Sequence, residues 1–468
     1  MLNLTSEDSD KFNVKSLIYI ILFYLLTIVI SGCSHHRDVK SNHERFPSQV
    51  YDSDKVKVPK YLQKLLFAEQ LLIDRSVDEQ LIMPPTITGQ GVQYRPESQQ
   101  WFKVKSIWIP EDDLQIAEIP NSFFHNSKFI KKLNGKRYFK FLIHPESEIF
   151  YKKLIDKYKN AGNFLATSTS SSRTVLVTDQ KGSFFFAKLS LDVELGGVVR
   201  TIPKSEVARS VGLTQYTDDI QSPNQSFQII REPLGINPKG FDRGGQILRE
   251  IPKEAFKNGK TLVPLFSLYS TASGKNTLLK KMISGQKDPI NFIKQKILAP
   301  FAKAWIDWAV DADLVMEAHA QNVLIQLDKN GLPTGKFYHR DLGGFNADFS
   351  NYDTTKLPYF TSITEDYHLK FNDQAITQSL RVYFEGGFLF NVNNELKRLG
   401  HKSIDLRIYF RELIIKEFKN KTQTNMRGVT TNNLYNSLSN KIRRLRTTKQ
   451  HFLGTCPSLL LKMIDPTR

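Results

Sequence analysis

The chain has 468 residues, 40% hydrophobic and 11% aromatic, which excludes a disordered polymer and leaves room for two or three cores. Lysine and arginine exceed the acids by 18 charges, so the favoured ligands are anions: ATP and polycarboxylates, anionic lipid or nucleic acid. No zinc-finger spacing, RNP-like aromatic motif or helix-turn-helix signature accompanies that charge, so no nucleic-acid partner is expected. Two cysteines, Cys33 and Cys456, exclude a disulfide framework and a zinc site built from cysteine.

In chain order, the apolar run from Leu17 to Ile30 is too short for an ordinary spanning helix but suits a signal h-region. It ends in Ile30-Ser-Gly-Cys33, which resembles a lipobox. Glu7, Asp8 and Asp10 precede it, against the positive leader a signal prefers, and Arg37, Lys40 and Arg45 follow. Residues 1–33 therefore read as a membrane-targeting or anchor segment, with a lipoprotein through Cys33 as the alternative, and residues 34–60 as a polar linker. Tyr61 to Ile73 carries a helical pattern and Trp101 to Ile109 a strand. Alternating runs at Arg173–Val177, Phe184–Leu191 and Phe227–Ile230 make the stretch to about 250 mostly β. Helices dominate from about 260, among them Phe292–Val310, where Trp305 and Trp308 sit at core spacing, and Arg407–Phe418. The class is α+β, with three regions after the anchor: 34–135, a β-rich 136–260, and 261–468.

One hairpin interrupts the helices. Val323 to Leu327 runs into an Asn-Gly-Leu-Pro turn and Lys336 to Leu342 returns. A turn centred between Gly331 and Leu332 predicts Asn322 directly opposite Asp341. Glu317, His319 and Gln321 lie just upstream, and Arg340 stands beside Asp341. Carboxylates and an amide at one hairpin mouth suit Mg²⁺, which takes a few protein oxygens and shares the rest with phosphates. A second polar patch, Thr167-Ser-Thr-Ser-Ser-Ser-Arg173-Thr174, offers hydroxyls and turn amides for phosphate, with Arg173 as a planar fork and Lys188 as a point charge. Lys188 and Arg200 are an even number apart, which places both on one side if the strands are regular.

These stretches resemble a family. Phe141-Leu-Ile-His144-Pro145, Ser171-Ser-Arg-Thr174, Lys188-Leu-Ser-Leu, Arg200-Thr-Ile, Ile247-Leu-Arg-Glu-Ile-Pro252, Glu317-Ala-His-Ala-Gln-Asn322 and Arg340-Asp341 are similar, in order and spacing, to the motifs of the IucA/IucC family of NRPS-independent siderophore synthetases. The resemblance implies thumb, fingers and palm subdomains at 34–135, 136–260 and 261–468, with a nucleotide cleft between β-rich fingers and helical palm. It implies an ATP- and Mg²⁺-dependent ligase that adenylates a citrate-like carboxylate and condenses it with an amine or alcohol. Ser171, Arg173, Thr174, Lys188, Gln321 and Asn322 would bind the nucleotide, and Glu317 and Asp341 the metal. His319, Arg200 and Lys188 would serve the reacting carboxylate. Its partners would be small polycarboxylates and polyamines or amino alcohols, and the family's habit implies a homodimer. ATP use implies a cytoplasmic catalytic body, anchored at the inner membrane if residues 1–33 anchor it.

Two alternatives carry their own residues. The family's early Gly-His-Pro-x-His-Pro-x-x-Lys segment has no counterpart in 60–140; Thr88-Gly-Gln-Gly-Val-Gln-Tyr94 is the nearest glycine-rich stretch, and His144-Pro145 supplies at most half of the motif. A membrane-tethered binding homologue without turnover is the alternative that this suggests. His339-Arg-Asp-Leu-Gly-Gly-Phe-Asn346 also spells a kinase catalytic loop. Asp348-Phe-Ser350 follows too soon for the intervening kinase hairpin, and no Val-Ala-Ile-Lys strand precedes it, so a kinase-like phosphotransferase ranks last.

Overall fold

Period-two patterning builds most of the first half. β1 (Trp101–Pro110), β2 (Leu114–Glu118), β3 (Ile130–Leu133), β4 (Lys136–Ile143), β5 (Asn160–Ser168), β6 (Thr174–Thr178) and β7 (Phe184–Leu189) lead to a short hairpin, β8 (Glu194–Leu195) and β9 (Val198–Val199). β10 (Phe227–Ile229), β11 (Leu234–Pro238) and β12 (Gln246–Arg249) follow. The computed structural model describes residues 56–71, 91–126, 128–179, 182–195, 198–220, 222–270, 276–347, 373–401 and 405–423, with isolated positions between 434 and 442. Residues 1–33, including Cys33, and Cys456 lie outside the described residues. Among those described, no helix is long and apolar enough to cross a membrane.

Nine strands form one antiparallel sheet in the order β2-β11-β12-β7-β6-β5-β1-β4-β3. It runs across residue 135, because β1 pairs with both β4 and β5. The central strands are buried on both faces, which explains their near-continuous apolar sequences. Val175, Val177, Phe185, Ala187 and Leu189 pack into one core. Leu176 and Phe186, one residue out of phase, pack on the other face with Trp101, Leu324 and Tyr338. Lys188 shares the phase of Phe186, so it points toward the second half of the molecule.

That half holds a four-stranded sheet, β10-β16-β15-β13, built with β13 (Thr261–Pro264), β15 (Val323–Leu327) and β16 (Pro333–His339); β10 joins β16 in parallel, and β14 (Leu314–Val315) pairs outside it with Asn346–Ala347. Helices pack on it around Phe301, Trp305, Trp308, Phe337, Phe384 and Phe410. The expected Phe292–Val310 helix is present as Pro289–Ile293, a π turn at Lys294–Leu298, and Ala299–Asp311. Both tryptophans are core, and the Arg407–Phe418 reading lies within a helix at Leu406–Thr422.

Two sequence readings are corrected. The mostly-β stretch contains a helix at Lys204–Asp219, whose Val207 and Val211 repeat at helical spacing and are buried. It lies so close to the sheet that a Cβ on Gly235 or Gly245 would come within 2.5 Å or 2.4 Å of Val207. The hairpin register also differs. Val323 pairs with His339 and Leu327 with Pro333, with an irregularity between them that gives β16 extra residues. The turn closes on Asp328, whose backbone N–H donates to Leu332 O (2.8 Å), and Gly331 takes a φ of 82°. Asn322 therefore lies level with Arg340, whose N–H donates to Asn322 O (3.1 Å), and not with Asp341.

Candidate active site

A cavity of about 360 Å³ opens where the two halves meet. Ser171, Arg173, Lys188 and Arg200 reach it from the nine-stranded side; Glu317, His319, Gln321, Asn322 and Asp341 reach it from the other. Two patches nearly 150 residues apart in sequence thus share one space. Thr174 does not line it: the side chain is buried on β6, level with Lys188, and its N–H donates to Ser171 Oγ (3.1 Å). The rest of the serine run is also committed elsewhere. Ser168 donates to Tyr94 O (2.6 Å), Thr169 to Thr174 O (2.7 Å), and Ser170 to Glu69 (2.7 Å).

Lys188 is the electrostatic centre. It is 2% exposed, and its ammonium donates to Glu206 Oε1 at 2.6 Å and to Asp341 Oδ1. Burial alone would raise the Asp341 carboxyl, but Lys188, Arg249 and Arg173 outweigh it and hold it well below the usual carboxylate range. Glu206 follows the same logic: burial opposes ionisation, Lys188 and Arg173 win, and its pKa is lowered. Arg173 is aimed by its own partners, donating to Arg200 O (3.3 Å) and Thr201 O (3.4 Å).

Glu317 behaves in the opposite way. Burial first, then the charge on Asp341, pushes it up to about 7 despite the amide of Asn322, which donates to Oε2 at 2.9 Å. Its backbone carbonyl accepts from His339 Nε2 (2.7 Å), a buried imidazole whose pKa burial pulls down to about 4. Tyr383 lines the cavity, reaches Glu317 with its hydroxyl, and meets the His319 ring edge-on at 5.3 Å. His319 Nδ1 accepts the Gln321 N–H (3.2 Å).

Glu206, Arg209, Tyr383, Gly343 and Gly344 also line the cavity and were not read from the sequence. The first two ride on the Lys204–Asp219 helix; Pro203 followed by valines at i and i+4 was the available signal. Arg209 Nη2 donates to the Gly343 carbonyl. The glycines are needed for space. A Cβ on Gly344 would stand 2.2 Å from Glu317 Oε2, whereas one on Gly343 would meet Glu206 at 3.1 Å. Gly344→Ala is expected to lose about 1–3 kcal/mol to overpacking and Gly343→Ala clearly less. Denaturant unfolding of the two variants measures that difference.

His144 lies elsewhere. It is fully buried, its Nε2 has no hydrogen-bond partner, and its pKa is pushed down to about 3 by burial. Its ring packs against Tyr94 (5.1 Å) and Phe102 (5.4 Å), so His144 lies in the sheet core and not in the cavity.

Comparison with known proteins bears out the resemblance read in the sequence. Residues 88–270 match the model of the IucA / IucC family. ATP-bound aerobactin synthetase IucA from a hypervirulent Klebsiella pneumoniae pathotype shares the fold, with a TM-score of 0.58 at 17% identity over 76% of this chain and 69% of that one. Aerobactin synthetase IucC from the same pathotype gives 0.56 at 14% identity, over 71% of this chain and 66% of that one. The petrobactin biosynthesis protein AsbB of Bacillus anthracis str. Sterne gives 0.56 at 16% identity, over 71% of this chain and 62% of that one. The chain thus spans about two thirds of those proteins. No curated protein matches it.

Proposed function

We propose that this chain is an ATP-dependent siderophore synthetase that adenylates a citrate-like polycarboxylate and condenses it with an amine or alcohol. The observation that carries the reading is the shared cavity: Ser171, Arg173 and Lys188 face Glu317, Gln321, Asn322 and Asp341 across a space of ligand size. The nine-stranded sheet would act as fingers and the helical half as palm, with the Lys60–Leu71 helix belonging to the thumb.

Attack of a carboxylate oxygen on the α-phosphorus of ATP forms an acyl-adenylate and expels pyrophosphate; the nucleophile then displaces AMP. Both partners of the first step are anions, so the site must offset their repulsion. Arg173, Lys188 and Arg200 supply cations for that purpose, and no protein nucleophile is required. Glu317, Asp341 and the Asn322 amide oxygen are the hard oxygen donors that Mg²⁺ takes; burial first, and then the charge on Asp341, raises Glu317, and a cation there would offset both. Mg²⁺ there would neutralise charge on the phosphates. His319, which lines the cavity beside Tyr383, would orient the carboxylate. Catalysis would take place in the cytoplasm, where ATP is present.

Pyrophosphate release is the test, with ATP, Mg²⁺ and a panel of polycarboxylates and polyamines. Carboxylate-dependent release, lost by roughly 10²–10³-fold in Asp341→Asn and Arg173→Ala proteins that still fold, is expected. ADP in place of AMP would select a phosphotransferase. ATP binding without release would select a binding homologue.

A further inference from the structure

Glu69 is a fully buried acid near the cavity, yet does not line it. It sits on the Lys60–Leu71 helix with no exposed surface. Arg340 grips it with both arms of its guanidinium, Nη1 on Oε1 and Nη2 on Oε2 at 3.1 Å. Oε2 also accepts the Ser170 N–H (3.2 Å) and hydroxyl (2.7 Å). Arg340 then donates to the Gln321 carbonyl from Nη2 (2.8 Å) and Nε (3.2 Å), and Gln321 Nε2 returns to Ser170 Oγ (3.2 Å). The next residue, Gln70, holds Thr167 Oγ1 (2.7 Å) and Ser168 O (3.0 Å).

This ring of contacts closes on three segments distant in sequence. Each residue that Glu69 is tied to in this ring is one position from a cavity-lining group, or is one: Ser170 precedes Ser171, Arg340 precedes Asp341, and Gln321 lines the cavity itself. Asp341 holds a left-handed φ of 68°, and its neighbour Arg340 is fixed by the bonds to Glu69 and the Gln321 carbonyl.

We propose that Glu69 is a positioning residue for the nucleotide: through Arg340 and Ser170 it locks the serine turn to the 319–322 and 340–341 segments. The proposal rests on the synthetase reading for its nucleotide, but the lock itself can be read without one. Burying a charge pair is no guide to net stability, since well-packed apolar replacements can match it, so a role in stability and a role in positioning separate cleanly.

The experiment compares full-length Glu69→Gln and the double variant Glu69→Leu/Arg340→Met with the parent. KM for ATP is expected to rise between about 10- and 100-fold in both, with KM for the carboxylate shifting less than about threefold. The double variant is expected to regain the parent's unfolding midpoint but not its ATP KM. Amide exchange should accelerate at 169–174 and 319–322 in both variants while the centre of the nine-stranded sheet keeps its protection. A double variant with the parent's ATP KM, equal rises in both KM values, or unchanged exchange at those segments would each overturn the proposal. If the parent neither binds nor cleaves ATP, the synthetase reading fails, and amide exchange alone then decides the lock.

Discussion

A Lys188→Met protein is expected to lose pyrophosphate release by roughly 10²–10³-fold, the cost of removing one preorganised charge from a site of developing anion. The reason is local. Lys188 is buried at 2% exposure and shares its ammonium between Glu206 and Asp341. Methionine fills the same volume, keeps the apolar stem packed and leaves two carboxylates facing each other. Breaking such a buried pair costs about 3–5 kcal/mol, so the variant should also unfold at lower denaturant. Adding Glu206→Gln removes one unpaired charge and is expected to restore most of that stability while activity stays lost. Lys188→Arg should not rescue, because a planar fork cannot occupy a point-charge position between two acids on adjacent elements. Parent-level turnover in Lys188→Met would remove Lys188 from the reaction.

Which parts of this arrangement could be read in the sequence follows from what each part needs. Lys188, Arg173 and the 317–322 segment stood out because polar groups break apolar strand patterns, and period two alone places Lys188 opposite in phase to Ala187 and Leu189. Glu206 and Arg209 did not stand out. Their helix is short of polar-face contrast, with Ser205, Arg209 and Ser210 buried beside Val207 and Val211, so amphipathicity gave a weak signal. Glu69 could not have been found at all. A glutamate on a surface-length helix reads as solvated, and only the fold brings Arg340, some 270 positions later, into contact with it. The one-residue hairpin error has a similar origin: an irregular pairing after Ile325 depends on side-chain packing that turn chemistry does not encode.

The cavity also stores a pH dependence. Glu317 has a folded pKa near 7 against a reference value of 4.5, raised by burial and by Asp341. A raised carboxyl favours the protonated form in the folded state. Its contribution is therefore whole below about pH 4.5 and is lost as pH climbs through 7. Relative to a Glu317→Gln protein, which cannot ionise, the nucleotide-free parent is expected to lose on the order of 3 kcal/mol between those limits. Unfolding midpoints of both proteins from pH 4.5 to 8.5 give the difference curve, and the difference cancels every other titrating group. Mg²⁺ with ATP should shrink that loss, because a cation beside Glu317 favours its charged form and lowers its pKa. The added stability from Mg·ATP should accordingly be larger at pH 8 than at pH 6 in the parent and nearly flat with pH in Glu317→Gln. Parallel curves for the two proteins without ligand would mean that Glu317 ionises as if solvated. The raised carboxyl would then be no mark of a cation site.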